Sequence, residues 1–564
     1  MNISDAVKHI ADDCYRLKTK MSGWETLVCP GDHVAVNFPD LSENAARENA
    51  QSAGAIRDRA EAMDQSNLTH DDEILLDIVK FRCDAIISDY KFYWSKFVTE
   101  PWMNVFPLSF NYLKNYPPAD PIHLTSYMKL LESLSQMVAQ QKEKTECQAE
   151  IGAFLPRRVI ENAVAMYQGF IISLKDHPLV LTKEKLAGID AADVDTAITG
   201  SRQMVRALND LLREMVTFLD GAYKENAPKT VSIRQYPGGE AFYKENVKYH
   251  TTLDMTPEEI FTLAETHRNI NLERMEAIRK SLGFDGTMSE FTDMVLKDPT
   301  RAMKTPEVFG ERLNAYLHKI LPLLKDYFID IPKAECLATR MAPEMEPQLE
   351  YGFYSPPMPP VKPMGNYFYN GANIENRDPC DIPPLAYHEM TPGHHFQIAL
   401  TMENEDLHPL ARASLVTAYT EGWAEYAAIL AGEMGMYEDL YAEYGRLQMD
   451  LILINFLTID TGIHAKGWSL EEAMDFLGKY KPDLDEKSRF NLIGLSSLAN
   501  PGFVLAYKIG SLKMMEIREK AKAALGDKFD IRKYHRTILE WGSLPLLILE
   551  KHVDRIVEKV KNRT

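Results

Sequence analysis

Three histidines and one acid fall between His388 and His395, inside Ala386-Tyr-His-Glu-Met-Thr-Pro-Gly-His-His-Phe-Gln397. His388-Glu389 opens the group, and His394-His395 follows Pro392-Gly393. About a helix length later comes Thr420-Glu-Gly-Trp-Ala-Glu-Tyr426, whose two carboxylates are four residues apart. Imidazole and carboxylate donors suit an ion such as zinc. A hydrolytic zinc site takes three protein ligands and keeps one position open. It also needs a base close by to take a proton from the attacking water. Glu389, directly after the first histidine, is the residue for that base.

The spacing sets a geometric condition. In an HExxH helix the two histidines differ by about 40° of rotation and about 6 Å of rise, so both reach one ion. Here the intervals are six (388 to 394) and seven (388 to 395). Six residues of regular helix leave the second histidine about 120° away, and seven restore the direction only at a rise of about 10.5 Å. Neither pair can chelate from an unbroken helix. Pro392 cannot donate to the carbonyl of His388, so the ladder breaks there. Gly393 tolerates unusual backbone angles. A loop over 391–393 would return His394 to His388, whereas a new helix starting near 393 would offer His395. His394 is the preferred second ligand, with His395 in a supporting place.

The third ligand is expected from a neighbouring helix. Glu421 and Glu425 share one helix face, and the run on to Leu430 is otherwise mostly small and apolar. Buried carboxylates need a partner, and a cation is one. Glu421 reads as the ligand and Glu425 as the group that orients a ligating histidine. Two later segments could complete the site, Asp460-Thr-Gly-Ile-His-Ala-Lys466 and Ala506-Tyr507-Lys508. An N–H of His464 or the hydroxyl of Tyr507 could stabilise the oxyanion of a tetrahedral intermediate. His267 and His535 read as structural histidines.

The elements that must position these groups are mostly helices. Residues 1–230 read as helix after helix with short punctuation, as in Asp72-Glu-Ile-Leu-Leu-Asp-Ile-Val-Lys-Phe, whose apolar residues follow the helical period. Thr256-Pro-Glu-Glu259 and Ser469-Leu-Glu-Glu472 are capping boxes, and 546–561 reads as an amphipathic surface helix. Glu346 to Pro360 cannot be regular helix, because its five prolines remove donors. Tyr367-Phe-Tyr-Asn-Gly-Ala-Asn-Ile374 is the best strand or hairpin candidate, with an Asn-Gly turn signal inside it. An extended edge there could hold a peptide through backbone hydrogen bonds. The division expected is a helical N-terminal region over 1–230 and a metal-site region over 231–564, forming one continuous helical unit.

Bulk composition narrows the classes. The chain has 564 residues, 45% hydrophobic and 26% charged, which is ordinary globular composition. Its net charge of -19 argues against a general nucleic-acid binder. The six cysteines form no CxxC pair and no dense disulfide framework, which favours a reduced compartment. The N-terminus lacks the basic head and apolar run of a signal peptide. No run of about 18 apolar residues suggests a membrane span. A cytoplasmic location is the expectation, with neither nucleic acid nor membrane as partner.

Several blocks in order resemble the bacterial domain-of-unknown-function 885 family, whose members are regarded as candidate zinc metallopeptidases. They are Gly239-Glu-Ala-Phe-Tyr243 with Tyr249-His-Thr-Thr252, Thr256-Pro-Glu-Glu-Ile260, the His388–Gln397 block, Glu421-Gly-Trp-Ala-Glu-Tyr426, Asp460-Thr-Gly-Ile-His464, Pro501-Gly with Tyr507, and Gly542-Ser-Leu-Pro-Leu546. The His-Glu-x-x-Pro-Gly-His-His block is the specific one. The wider similarity is to helical gluzincin peptidases. That resemblance implies a mainly α fold, a large helical array with a deep cleft and a small β element. It implies His388, His394 and Glu421 as ligands to one zinc ion, Glu389 as base, and Tyr507 or His464 as the electrophilic helper. The Thr-Pro-Gly insertion departs from the gluzincin pattern.

The expected function is zinc-dependent hydrolysis of short peptides, with a small peptide as partner. The alternatives are a zinc amidohydrolase acting on a non-peptide amide, and a helical binding protein without catalysis.

Overall fold

The computed structural model describes residues 3–21, 37–298, 301–343, 345–346, 352–358, 362–372, 374, 377–482 and 484–562. It is mainly helical with a small three-stranded sheet. Two compact units are present, each discontinuous in sequence. One takes in Asp12–Met63 and Arg82–Phe242, the other Met1–Ala11, Asp64–Phe81 and Tyr243–Thr564.

The regular elements of the first unit are all helices among its described residues. Its longest helix, Pro121–Glu150, starts where the Asp120 carboxylate accepts from the N–H groups of Ile122 and His123, with proline in the first helical position. That is a cap plus a residue that has no N–H to leave unsatisfied. Leu130, Leu131, Leu134, Met137 and Val138 form its buried stripe, the pattern of a helix with one face in the core.

The second unit holds every candidate site residue. Asp64–Phe81 belongs to it because His70 and Glu73 bond to His552 and Arg555 of the C-terminal helix Leu546–Lys561. Both expected capping boxes are formed, Thr256 with Glu259 and Ser469 with Glu472. The sheet runs in the order β1-β3-β2. Strand β1 (Cys336–Arg340) lies parallel to β3 (Gly365–Tyr369), and β2 (Gly352–Ser355) lies antiparallel to β3 with Tyr354 opposite Tyr367.

The expected strand at Tyr367 is β3, but the Asn370-Gly371 pair does not turn a hairpin. It follows the last strand. Asn370 donates to the carbonyl of Glu346 and accepts from Ala372 N–H, and Gly371 N–H donates to the Glu346 carboxylate. Those bonds tie the pair to a preceding segment and take it out of the sheet. The β2–β3 connection lies instead in the proline-rich stretch, with a Met358–Lys362 bridge. Pro347, Pro359 and Pro360 lie outside the described residues.

One sheet face is covered by the helix that carries His388. Cys336, Ala338, Tyr367 and Tyr369 share a core with Ile382, Leu385, Ala386 and Met390. Burying these side chains fixes the helix on the sheet. The five described cysteines are free thiols, and Cys29 lies outside the described residues. Among the described residues, no helix is long and apolar enough to cross a membrane.

Candidate metal centre

The helix Ile382–Glu389 ends directly after the candidate base. Met390 leaves helical angles (φ −107°, ψ −111°), a turn covers 391–393, and a second helix runs His394–Glu403. The Thr391–Pro392 bond is cis. Gly393 is required by space. A Cβ there would lie 1.8 Å from the carbonyl oxygen of His388 and 2.4 Å from that of Tyr387. Trp423 Nε1–H donates to the carbonyl of Pro392 at 2.9 Å, pinning the turn to the neighbouring helix.

The two sequence alternatives for the second histidine are combined. A new helix does begin, at His394, yet His394 is the residue returned to His388. Their rings meet edge-on, 4.7 Å between centroids and 85° apart. His395 turns away. Its Nε2 lies 2.9 Å from the carbonyl oxygen of Ala334, which can only accept, so Nε2 carries the hydrogen. Its Nδ1 then accepts from the Tyr354 hydroxyl at 3.0 Å. Gly365 makes room for this pair, since a Cβ there would be 2.6 Å from His395 Nδ1.

Glu421 and Glu425 come from the helix Thr417–Glu433. Glu421 Oε2 lies 3.3 Å from His394 Nε2 and 3.7 Å from His388 Nε2. One donor atom from each of the three residues fits within 4.8 Å of the others, and this is the one such group of three among the described residues. Tetrahedral ligands at about 2.0–2.1 Å from an ion stand about 3.3 Å from each other. Glu421 therefore stands at ligand spacing from His394 and slightly beyond it from His388. Glu425 Oε1 sits 2.7 Å from the other nitrogen of His388, Nδ1. That contact is close but bent, so it acts through charge as much as through a straight hydrogen bond.

Tyr507 reaches the centre from the helix Leu505–Leu525. Its ring lies parallel to that of His388 at 6.4 Å, and its hydroxyl interacts electrostatically with Glu421. Two glycines bring these helices together. A Cβ on Gly422 would lie 2.6 Å from the backbone of Gly510, and one on Gly510 would lie 2.1 Å from the carbonyl oxygen of Ala418. His464 is placed elsewhere. It is buried beside Asp460, against the ring of Tyr243, with Nε2 3.3 Å from the carbonyl oxygen of Ser497. It is not among the described residues that line the cavity. Asp460 accepts from Tyr243, Ser497 and Gly502 N–H, so this region holds up the wall and does not face the centre.

Burial and neighbouring charges set the protonation of the cluster. Burial works against a charged His388, but Glu425 and the charges of Glu389 and Glu421 outweigh it and raise its pKa to about 9. Burial, with help from Glu421 and Glu425, raises Glu389 above the ordinary carboxylate range against the pull of His388 and His394. Burial would raise Glu421 too, but His394, His388 and the Tyr507 hydroxyl hold it low. Burial and the nearby carboxylates push the Tyr507 hydroxyl well above its usual value, which keeps it protonated.

The centre opens into a cavity of about 440 Å³, a size that takes a small ligand. His388, Glu389, His394, Glu421, Glu425 and Tyr507 all line it, together with Gly352, Phe353 and Tyr354 of β2. Sequence reasoning missed Tyr354, which stands 41 residues before its partner His395. It missed the anchoring part of Trp423 as well, although that residue sits between the two glutamates.

Two solved structures share the fold. One is described as a putative lipoprotein from Colwellia psychrerythraea, with a TM-score of 0.87 and 22% identity, covering 98% of this chain and 99% of that one. Another is described as a putative lipoprotein of unknown function from Shewanella oneidensis, with a TM-score of 0.71 and 18% identity at the same coverage. No curated protein matches the chain. The family model of the bacterial protein of unknown function (DUF885) matches residues 28–553, and the chain belongs to that family.

Proposed function

We propose that this member of the family is a zinc-dependent peptidase acting on short peptides. The observation that supports it is the convergence of His388, His394 and Glu421 beside Glu389, on the wall of a cavity bordered by β2. His388, His394 and Glu421 would hold one ion. When bound, zinc supplies Lewis acidity toward the substrate carbonyl and makes water a better acid. A ligating His388 must give up the proton that Glu425 and its neighbours favour, so binding competes with protonation.

The remaining work belongs to the chain's own residues. Glu389 is the base. It takes a proton from the attacking water at a carboxylate oxygen and returns it to the leaving amine, and its raised pKa suits both transfers. Tyr507 keeps its proton and donates to the oxygen that gains charge. Among the described residues β2 is an edge strand, and Gly352, Phe353 and Tyr354 line the cavity. The open side of such an edge suits an extended peptide, which favours a peptide over a non-peptide amide. A carboxylate placed as Glu389 is, next to the ligands without being one, has no use in a purely binding protein.

Metal analysis together with Glu389→Ala on a peptide library tests this. One zinc per chain is expected, with cleavage lost in the variant and zinc retained. A protein that takes up no zinc, or a variant that cleaves like the wild type, overturns the reading.

A further inference from the structure

Beyond the metal centre, the cavity wall has a character of its own. Met449, Ile452 and Phe456 come from the helix Leu440–Thr461, Leu492 and Leu495 from the helical run 486–498, and Phe503 from the turn before the helix of Tyr507. Within this apolar wall stands Ser496. It is 6% exposed, it lines the cavity, and its buried Oγ has no hydrogen-bond partner among the described residues. The Oγ itself is covered, and a buried hydroxyl without a partner is costly; a turn about the Cα–Cβ bond would bring it to a ligand main chain in the cavity.

The charges point the same way. The described lining residues include three carboxylates, Glu389, Glu421 and Glu425, and no lysine or arginine. A seated divalent cation still leaves this wall with one negative charge in excess. Lys508, next to Tyr507 in sequence, is held by Asp450. An acidic side chain entering here would meet repulsion, and a basic one would lose its hydration against apolar side chains.

We infer that this cavity is a subsite for a bulky uncharged apolar side chain beside the amide to be cleaved, and that the Ser496 hydroxyl reads the polar main chain of the same residue. The substrate class is then neutral peptides with leucine-like or phenylalanine-like side chains. This rests on the peptidase reading for its meaning, but its test does not depend on cleavage.

The test is calorimetric titration of the Glu389→Gln protein, supplied with zinc, with two capped tripeptide amides that differ only in a central leucine or glutamate. Glu389→Ala provides a second inactive background. The leucine peptide should bind at least roughly tenfold more tightly. Adding Ser496→Ala should weaken it roughly fivefold without lowering the melting temperature. Equal affinities, tighter binding of the glutamate peptide, no binding of either, or an unchanged affinity in Ser496→Ala each overturn the inference. Wild-type protein that binds the leucine peptide without cleaving it would leave the subsite standing and remove the peptidase reading.

Discussion

Glu425 Oε1 lies 2.7 Å from Nδ1 of His388, the nitrogen opposite the one that faces Glu421. In the proposed zinc site, one carboxylate of the Thr417–Glu433 helix would orient the histidine, and the other would share the ion with its Nε2. Residues that hold a metal-binding imidazole from behind typically contribute about 10–100-fold in metal affinity. Glu425→Gln should weaken zinc by about that factor in a chelator competition, whereas Glu421→Gln should remove tight binding altogether. An equal loss in both variants would show that the two carboxylates do not divide the work this way.

Tyr507→Phe separates two parts that one hydroxyl could play. The hydroxyl feels the charge of Glu421 and is held protonated at the centre. As donor to a developing oxyanion it should be worth about 10²–10³ in kcat, with KM little changed. Zinc content should stay at the wild-type level. A large loss of zinc with a small loss of kcat would make Tyr507 a support for Glu421 only.

Much of this arrangement was legible in the chain because its causes are local. The capping boxes at Thr256 and Ser469 need four residues each, and both formed. The break between His388 and His394 follows from Pro392 and Gly393, whose effects depend on the backbone alone. Which histidine returned was also settled locally, by the second helix starting at His394 itself. The unread parts depend on distant partners. Tyr354 becomes a site residue only once β2 pairs with β3 and His395 bonds to Ala334. His464 has the residue type of a catalytic group, but Asp460, Tyr243 and Ser497 draw it into the supporting wall. No spacing rule separates those outcomes.

The Gly422–Gly510 contact should be sensitive to any added volume. A Cβ at Gly510 would stand 2.1 Å from the Ala418 carbonyl oxygen, and Gly422 Cα is 2.8 Å from the same point. Backbone atoms cannot rotate away, so the helices must separate, and overpacking of this kind costs about 1–3 kcal/mol. Gly510→Val should lower the denaturation midpoint accordingly. It should also lower kcat more than zinc affinity, because the shift moves Tyr507 from Glu421 while His388 and His394 stay on their own helices. Unchanged stability would mean that the two helices do not cross this closely in solution.

His535 gives the same helix a pH-dependent anchor. Its Nδ1 lies 2.9 Å from the Tyr327 carbonyl oxygen, so Nδ1 carries the hydrogen and Nε2 accepts from the Tyr426 hydroxyl at 2.8 Å. The neutral ring is fully bonded, and burial is the main reason its pKa falls to about 3, with Arg518 adding to it against the Tyr327 carbonyl. In the unfolded chain the group titrates near 6.5, the ordinary value for histidine. Between those values the unfolded state binds more protons, so stability rises with pH there. The contribution is complete above about 6.5 and is lost as pH falls toward 3. The slope for one full proton is about 1.4 kcal/mol per pH unit. His535→Gln should be less stable than wild type at pH 7, since it loses the ring stacked on Phe328 at 4.7 Å. Urea unfolding from pH 7 to pH 4 should then show the gap narrowing as the wild type loses its histidine contribution. A gap that stays constant over that range would mean the ring takes a proton in the folded protein as easily as in the unfolded chain.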